Sequence, residues 1–153
     1  MAFNIVLFEP EIPNNTGNIG RLSLGSGSKL HLVKPFGFEL NDARLKRAGL
    51  DYWQHLSVTI YENVADFYEK NPAGNFVYLS SHGKKDYCEI DYADDMFLIF
   101  GKESKGLDEH ILKENVERSY HIPIYSEHIR SFNLANAVAI VVYEGIRSLK
   151  TNL

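Results

Sequence analysis

The sequence contains one cysteine, Cys88, among its 153 residues, so no disulfide can form within the chain. A lone thiol is typical of proteins that work in a reducing cytoplasm. Long apolar runs are missing too, because the longest, from Ala137 to Tyr143, covers seven residues and a membrane helix needs roughly 20. The first residues carry no basic segment and no small-residue cleavage site, so no secretory signal is predicted. These absences favour a soluble cytoplasmic protein.

Missing motifs exclude several kinds of functional site. The six histidines include no His-x-x-x-His pair and Cys88 has no cysteine partner, so no metal site is expected. No Gly-x-Ser-x-Gly elbow of an acyl hydrolase is present. The run Gly25-Ser26-Gly27 opens no predicted helix, which argues against a dinucleotide-binding oxidoreductase. The net charge of −4 weakens a nucleic-acid interpretation without excluding it, because local basic patches matter more than the sum.

The chain alternates short apolar runs with helical segments. The predicted strands are Ile5–Phe8, Leu30–Val33, Phe76–Leu79, Met96–Phe100 and, with a proline inside it, His121–Ile124. The predicted helices are Thr16 to about Ser26, Asp42–Gly49, Val64–Lys70, Asp108–Glu114 and Asn133 to about Lys150. Mostly apolar strands without alternation are typical of a parallel sheet covered on both faces. The sequence therefore predicts one α/β domain over residues 1–153, a mostly parallel sheet flanked by helices.

The last predicted helix is apolar on nearly every face. Leu134, Val138 and Val142 lie on one face at helical spacing, and Ile140 lies on another. A helix that is apolar all round must be buried all round, and a domain of this size has few places for one. We therefore expect part of this helix to lie against another subunit, with a helix central to its own monomer as the alternative. Asn136, within the same stretch, should then have a defined hydrogen-bond partner.

Polar loops follow three of the predicted strands, where ligands bind in open α/β sheets. The first covers residues 9–21, the second covers residues 101–107, and the third, residues 125–133, leads into the last helix with Ser131 and Asn133. Each loop also has a plain structural interpretation: a helix cap with a surface arginine, a tight turn, and a helix cap. The acidic side chains of the first loop are interpreted as solvated charges.

In this order, the three loops resemble the motifs of the SPOUT methyltransferases. More narrowly, they resemble the short branch of tRNA (cytidine/uridine-2′-O-)methyltransferases that acts on the wobble nucleotide 34. The resemblance spans nearly the whole chain and rests on Asn15-Thr16-Gly17-Asn18-Ile19-Gly20-Arg21, on Phe100-Gly101-Lys102-Glu103-Ser104-Lys105-Gly106-Leu107, and on Ile122-Pro123-Ile124 with Ser131-Phe132-Asn133-Leu134-Ala135-Asn136-Ala137-Val138.

The resemblance implies a SPOUT-type fold with a C-terminal trefoil knot and a homodimer through the first and last helices. It implies 2′-O-methylation of cytidine or modified uridine 34, with leucine tRNA isoacceptors as substrates. S-adenosylmethionine would be the cofactor and S-adenosylhomocysteine the product. The implied cofactor contacts are Leu79, Gly101, Ile122 and Ser131. The implied catalytic positions are Arg21, Asn15, Glu103, Ser131 and Asn133.

The tRNA anticodon stem-loop would have to bind basic side chains on the dimer surface, since the chain has no spare length for an RNA-binding domain. The candidate phosphate contacts are Arg44, Lys46, Arg47, Lys84, Lys85 and Arg130. Solvated helix faces and turns are the plain alternative for such basic runs. A rival function is a knotted RNA-binding dimer that acts as a non-catalytic assembly factor, and affinity for S-adenosylmethionine would decide between the two.

Overall fold

The computed structural model describes residues 3–41, 43–49 and 52–151. Within these residues the strands are β1 (Asn4–Phe8), β2 (Lys29–Val33), β3 (Val58–Tyr61), β4 (Phe76–Leu79), β5 (Lys85–Asp86), β6 (Phe97–Phe100) and β7 (Ser119–His121). The α-helices are α1 (Pro13–Gly25), α2 (Ala43–Gly49), α3 (Val64–Lys70), α4 (Glu109–Glu114) and α5 (Leu134–Thr151). Short 3-10 turns occupy Trp53–His55, Tyr87–Glu89 and Val116–Arg118.

The strands form one parallel sheet in the order β3-β2-β1-β6-β4-β7-β5. The inner strand β1 is buried along its whole length and pairs Leu7 with Leu32 of β2 and with Phe100 of β6. The predicted parallel α/β architecture is confirmed. Because parallel strands end at the same edge of a sheet, the loops after the neighbouring strands β6, β4 and β7 meet there.

Two of the strands lack the apolar run from which the others are predicted. Strand β3 lies at the sheet edge with Thr59 and Ile60 exposed, and β5 consists of two polar residues. Both strands lie at edges of the sheet, where a strand need not be apolar on both faces, so the hydrophobic pattern of the sequence does not reveal them. Asp42, predicted to begin the second helix, lies outside the described residues.

Proline chemistry explains two displaced boundaries. The strand predicted at His121–Ile124 is instead Ser119–His121, because Pro123 has no amide hydrogen to donate to a ladder. Helix α1 begins at Pro13 rather than Thr16, since the fixed φ of proline suits the first helical position. The first loop is therefore shorter than expected, and its polar residues Asn15 and Thr16 belong to the first turn of α1.

Hydrophobic clusters cover both faces of the sheet. On one face, Ile19 of α1 and Val138 of α5 belong to the same cluster as Leu7 of β1. On the other face, Phe67 of α3 packs with Val6 of β1. Neighbouring residues of a strand point to opposite faces, so β1 contributes to both cores. The polar residues of the loops beyond the carboxyl edge of the sheet lie outside both clusters, which leaves room for polar groups there.

Helix α5 buries only one of its apolar faces within the chain. Val138 and Val142 are fully buried, whereas 49% of Tyr143 is exposed. Asn136 is exposed in the single chain, so a defined hydrogen-bond partner for its side chain stays a prediction that depends on a second subunit. No helix among the described residues is long and apolar enough to cross a membrane.

A buried polar network, which we call the His31 network, joins His31 to Asn4, Tyr61, Asn71 and Asp95. His31 Nδ1 accepts from the Tyr61 hydroxyl at 2.8 Å, and Nε2 donates to Asn4 Oδ1 at 2.8 Å. This direction follows because Asn4 Nδ2 donates to the Asp95 carbonyl at 2.9 Å and Asn71 Nδ2 donates to the Tyr61 oxygen at 3.2 Å. Burial lowers the pKa of His31 to about 4, so the ring is neutral at pH 7.

Candidate active site

A cavity of about 760 Å³ opens at the carboxyl edge of the sheet. Its wall takes residues from 79–82 after β4, 100–106 after β6, 120–124 at and after β7, and 130–137 leading into α5. Ile12 and Asn15, at the beginning of α1, complete it. The volume lies within the ~300–1,000 Å³ range of small-molecule sites, and the position is the one expected for a ligand of an open α/β sheet.

The predicted cofactor contacts Leu79, Gly101, Ile122 and Ser131 all line this cavity. A Cβ at Gly101 would lie 2.1 Å from the backbone carbon of Gly106, so only glycine lets the loop fold back on itself here. No group of His, Cys, Asp or Glu side chains in the described part of the chain could hold a metal ion.

Four of the predicted catalytic positions, Asn15, Glu103, Ser131 and Asn133, line the same cavity. Asn133 Nδ2 donates to Asn15 Oδ1 at 3.1 Å, which joins the first turns of α5 and α1. Asn133 Oδ1 also accepts from the backbone amide of Asn136 at 3.3 Å and so caps α5. The helix-cap interpretation of Asn133 is therefore correct, but the same side chain also faces the cavity.

Glu103 is bound to the beginning of α1. Its Oε2 accepts from the backbone amides of Glu11 at 2.8 Å and Ile12 at 3.1 Å. Its Oε1 is buried and has no hydrogen-bond partner within residues 3–41, 43–49 and 52–151. A buried acceptor of this kind is ready to receive a donor from a ligand.

The interpretation of Glu11 as a solvated charge is wrong. Its Oε1 accepts from the backbone amide of Ser104 at 2.8 Å, and this bond lowers the pKa of the Glu11 carboxyl. Glu11 is thus engaged with the loop after β6 rather than simply solvated. No local signal could have revealed this, since Ser104 lies 93 residues away along the chain.

Arg21 lies outside the cavity of its own chain. It is exposed on α1, with its guanidinium carbon 5.4 Å from the centroid of the Tyr52 ring. Asn15 and Arg21 are six positions apart on one helix, so their side chains point in directions about 120° apart. A single chain therefore brings together all of the predicted catalytic positions except Arg21.

The predicted RNA contacts fall into different surroundings. Arg130 lines the cavity. Lys84 and Lys85 lie outside it and contact Glu117, with Nζ–O distances of 2.5 and 4.0 Å. Lys84 in particular lowers the pKa of the Glu117 carboxyl. Part of the positive charge of this lysine pair is therefore already compensated within the protein.

Two further lysines belong to the cavity itself. Lys102 and Lys105 line it, and neither is among the predicted RNA contacts. Arg44 and Arg47 are exposed on α2, and the side chain of Lys46 lies outside the described part of the structure. The loop after β6 thus brings positive charge closer to the candidate site than the β5 edge does.

Comparison with known proteins defines the class. A family model described as the SpoU rRNA Methylase family matches residues 2–143. Fold, cavity and family model together define a methyltransferase, and the chain belongs to the SpoU methylase family. It is 45% identical over 148 residues to the tRNA (cytidine(34)-2′-O)-methyltransferase of Escherichia coli strain K12, which covers 95% of this chain and 93% of that relative.

Solved structures agree with this assignment. One described as "Structural insights into the 2-OH methylation of C/U34 on tRNA" has a TM-score of 0.93 and 37% identity over 98% of this chain and 97% of that chain. An AdoMet-bound rRNA methyltransferase from Sinorhizobium meliloti has a TM-score of 0.85 and 26% identity over 97% of this chain and 57% of that chain. The predicted family and enzyme class are confirmed, whereas the trefoil knot and the homodimer stay predictions.

Proposed function

We propose that this protein transfers a methyl group from S-adenosylmethionine to the ribose 2′-hydroxyl of nucleotide 34 in tRNA, with leucine isoacceptors among its substrates. The observation that carries the proposal is the single cavity lined by every predicted cofactor and catalytic position except Arg21. The 45% identical relative named for this reaction supports the choice of nucleotide.

The cavity has the chemistry that the cofactor requires. Leu79, Ile122 and Leu134 offer apolar surface to an adenine ring, and Gly101 lets backbone approach the ligand closely. The buried Oε1 of Glu103 is an acceptor for a hydroxyl donor such as a ribose. S-adenosylmethionine, when bound, supplies an activated methyl group on a sulfonium.

The protein must align the 2′-hydroxyl with that methyl group and let one proton leave. Asn133 and Ser131 orient the target ribose and the methionine end of the cofactor. Asn15 is fixed for the same purpose by its hydrogen bond to Asn133. Alignment of this kind is worth several kcal/mol, because the hydroxyl no longer has to find the reactive geometry by diffusion.

Arg21 has an electrostatic role in this mechanism. Its guanidinium keeps its proton in proteins, so it is a poor general base. It binds the target phosphate and stabilises the developing 2′-alkoxide, while the proton leaves to phosphate or water. A lysine at this position would lose the two-point contact to phosphate.

A homodimer through α1 and α5 would deliver Arg21 to the cavity of the second copy. The first turn of α5 lines the cavity, and α1 packs against α5 within the chain. If the two-fold axis passes through these two helices, α1 of one copy would lie beside α5 of the other and near its cavity. Leu24 on α1 and Tyr143 on α5 expose 39% and 49% of their surface and would be covered in such a dimer.

The anticodon stem-loop would bind through phosphate contacts around the cavity. Arg130, Lys102 and Lys105 line the cavity and lie nearest to the target nucleotide. Arg44, Lys46, Arg47, Lys84 and Lys85 are candidates for contacts further along the RNA. Because tRNA is the substrate, we expect the protein to work in the cytoplasm.

A methyl-transfer assay tests the function directly. Purified protein, isotope-labelled S-adenosylmethionine and tRNA lacking the wobble ribose methyl should give labelled 2′-O-methylcytidine or a 2′-O-methyluridine derivative, identified by mass spectrometry of the digested RNA. The matched control is the same tRNA with a 2′-deoxynucleotide at position 34, which should accept no label there. Label elsewhere would contradict the assigned nucleotide. No transfer and no binding of S-adenosylhomocysteine would favour the non-catalytic RNA-binding dimer.

A further inference from the structure

Two carboxylates connect the loop before α1 with the loop after β6 in both directions. Glu103 Oε2 accepts from the backbone amides of Glu11 and Ile12, at 2.8 and 3.1 Å. In return, Glu11 Oε1 accepts from the backbone amide of Ser104 at 2.8 Å. Each side chain therefore binds backbone of the other loop, across about 90 residues of sequence.

The beginning of α1 depends on this contact for its capping. Ile12 at the N-cap has no side-chain oxygen, Pro13 has no amide hydrogen, and the first turn contains no acidic residue. The carboxylate of Glu103 supplies the negative charge that the positive end of a helix dipole favours. A distant glutamate thus binds the N-cap amide, as the glutamate of a local capping box does.

The loop before α1 also needs outside support. Glu9 adopts a left-handed φ of 57°, which costs a non-glycine residue about 1 kcal/mol or more. The loop after β2 contacts the segment from a second side, because the Gly37 amide donates to the Pro10 carbonyl at 2.9 Å. A Cβ at Gly37 would lie 2.8 Å from Glu11 Cα, so the approach is close.

The loop after β6 is compact and is held as a unit. The Gly106 amide donates to the Lys102 carbonyl at 2.8 Å, and Gly106 has a left-handed φ of 68°. Gly101, Glu103 and Ser104 of this loop line the cavity. Contacts that fix this loop against α1 therefore also fix the cavity wall formed by Gly101, Glu103 and Ser104 relative to Asn15.

We propose that Glu11 and Glu103 form a reciprocal clamp, in which Glu11 and the Oε2 atom of Glu103 position the two loops for methyl transfer while Glu103 Oε1 stays open to the ligand. This inference rests on the proposed function. The clamp holds Asn15, in the first turn of α1, at a fixed distance from the loop that would contact the cofactor. Glu103 acts through backbone amides at Oε2 and does not carry the transferred proton. Glu11 becomes a further residue on which turnover depends, although it does not line the cavity.

Hydrogen–deuterium exchange tests the clamp without any substrate. In Glu11→Ala the Ser104 amide should exchange at least tenfold faster, and in Glu103→Ala the amides of Glu11 and Ile12 should do so. Glu127→Ala, which removes the same charge from the exposed loop after β7, is the matched control and should leave all three amides unchanged. Faster exchange in only one direction would overturn the reciprocal clamp.

Ligand binding and kinetics test the positioning role. Both alanine variants should weaken S-adenosylhomocysteine binding about tenfold and lower kcat at least tenfold. The double variant should lose little more than either single variant, because the two bonds hold the same pair of loops. Glu11→Gln keeps an acceptor oxygen for the Ser104 amide and should retain at least a third of wild-type kcat. Glu103→Gln keeps one oxygen for the two amides but loses the open acceptor, so it should bind S-adenosylhomocysteine more weakly than wild type while its pH profile stays unchanged.

The outcomes separate the two proposals. Additive losses in the double variant would show that the two residues act independently and would overturn the clamp as the positioning device. A Glu103→Gln variant as inactive as Glu103→Ala, with a changed pH profile, would assign proton transfer to Glu103 instead. If wild-type protein methylated no tRNA but the exchange and cofactor-binding effects appeared, the clamp would stand and the proposed substrate would fall.

Discussion

Two polar clusters, the His31 network within the sheet and the cluster at the cavity, differ in how completely their hydrogen bonds are satisfied. In the His31 network both ring nitrogens of His31 have protein partners, and the network continues to backbone and side-chain groups at each end. In the cavity, by contrast, Glu103 Oε1 is buried without a partner among the described residues. Thr16 Oγ1, next to Asn15, is in the same situation within the described ranges.

This difference indicates which cluster is structural and which is functional. An unsatisfied buried polar group costs about 1–3 kcal/mol, so a folded protein keeps one mainly where a ligand or partner will satisfy it. The His31 network leaves nothing for a ligand to bind and can only contribute to stability. The cavity cluster keeps one open acceptor, Glu103 Oε1, beside a space of about 760 Å³. Disturbing one cluster should therefore affect stability, and disturbing the other should affect activity.

The largest effect is expected for the cavity cluster. Asn133→Ser should lower turnover about a hundredfold, or about 2.7 kcal/mol, because it removes the amide that holds Asn15. Its unfolding free energy should stay within about 1 kcal/mol of wild type, since serine can still cap α5. Arg21→Ala should be comparably inactive. Steady-state kinetics and denaturant unfolding measure the two effects separately.

Mixing these two variants tests whether the cavity is completed by a second copy. In a mixed dimer with shared sites, one site carries both substitutions and the other carries neither, so about a quarter of wild-type activity should return. The Asn133→Ser variant taken through the same mixing and refolding procedure by itself is the control and should remain inactive. If the mixture also stays inactive while it forms dimers, Arg21 acts in its own chain and the proposed arrangement is wrong.

A smaller effect is expected from the His31 network, on stability rather than on activity. The pKa of His31 is about 4 when folded and 6.5 for an ordinary histidine, so the unfolded chain binds the proton first. The stabilisation is complete above pH 6.5 and is lost as the pH falls towards 4. Between pH 7 and pH 5 the unfolding free energy should fall by about 2 kcal/mol, measured by urea unfolding.

The His31→Gln variant is the control for this pH dependence. Without the imidazole, the unfolding free energy should change much less over the same pH range. Carboxyl groups whose pKa is lowered in the folded protein, such as Glu11, contribute equally to both proteins, so the difference between the two slopes isolates His31. An equal slope in wild type and variant would show that burial of His31 does not oppose its protonation.

The smallest effect is expected on tRNA binding, where the cavity pair Lys102 and Lys105 differs from the pair Lys84 and Lys85 beside Glu117. Replacing Lys102 and Lys105 by alanine should weaken tRNA binding several-fold. It should also reduce the slope of log K against log salt concentration by about 1.4 in magnitude, since each phosphate contact to single-stranded RNA contributes about 0.7 to that slope. Replacing Lys84 and Lys85 by alanine should reduce this slope by less than half as much, because Glu117 already contacts both lysines. Binding titrations between 50 and 200 mM salt, roughly the range over which such contacts respond, measure both slopes. Equal slopes would show that the cavity lysines have no special role.

Much of the fold follows from local patterns. The apolar strands around β1 are buried on both faces, and a run such as Phe76–Leu79 is predicted with its observed bounds. Elements without such a pattern are not predictable in this way. The edge strand β3 and the two-residue β5 exist because neighbouring strands offer them hydrogen bonds, not because their own residues demand a strand.

The candidate site divides in the same manner. Motif resemblance identifies Asn15, Glu103 and Asn133, and the structure places all three on one cavity. It does not reveal that Arg21 points away from this cavity, because the direction depends on where α1 begins and how it packs. It also leaves Glu11 among solvated charges, since the bond to Ser104 crosses most of the chain.

The sequence alone determines the alternation of strands and helices, the parallel sheet and the loops that carry polar side chains, because hydrophobic periodicity records which faces each element buries. Only the tertiary structure decides which distant loops meet. It brings Glu11 to Ser104 and Glu103 to Ile12, leaves Glu103 Oε1 open, and puts Lys102 rather than Lys84 at the cavity. The physical reason is that such contacts depend on the order of strands in the sheet, and that order is set by the packing of the whole chain.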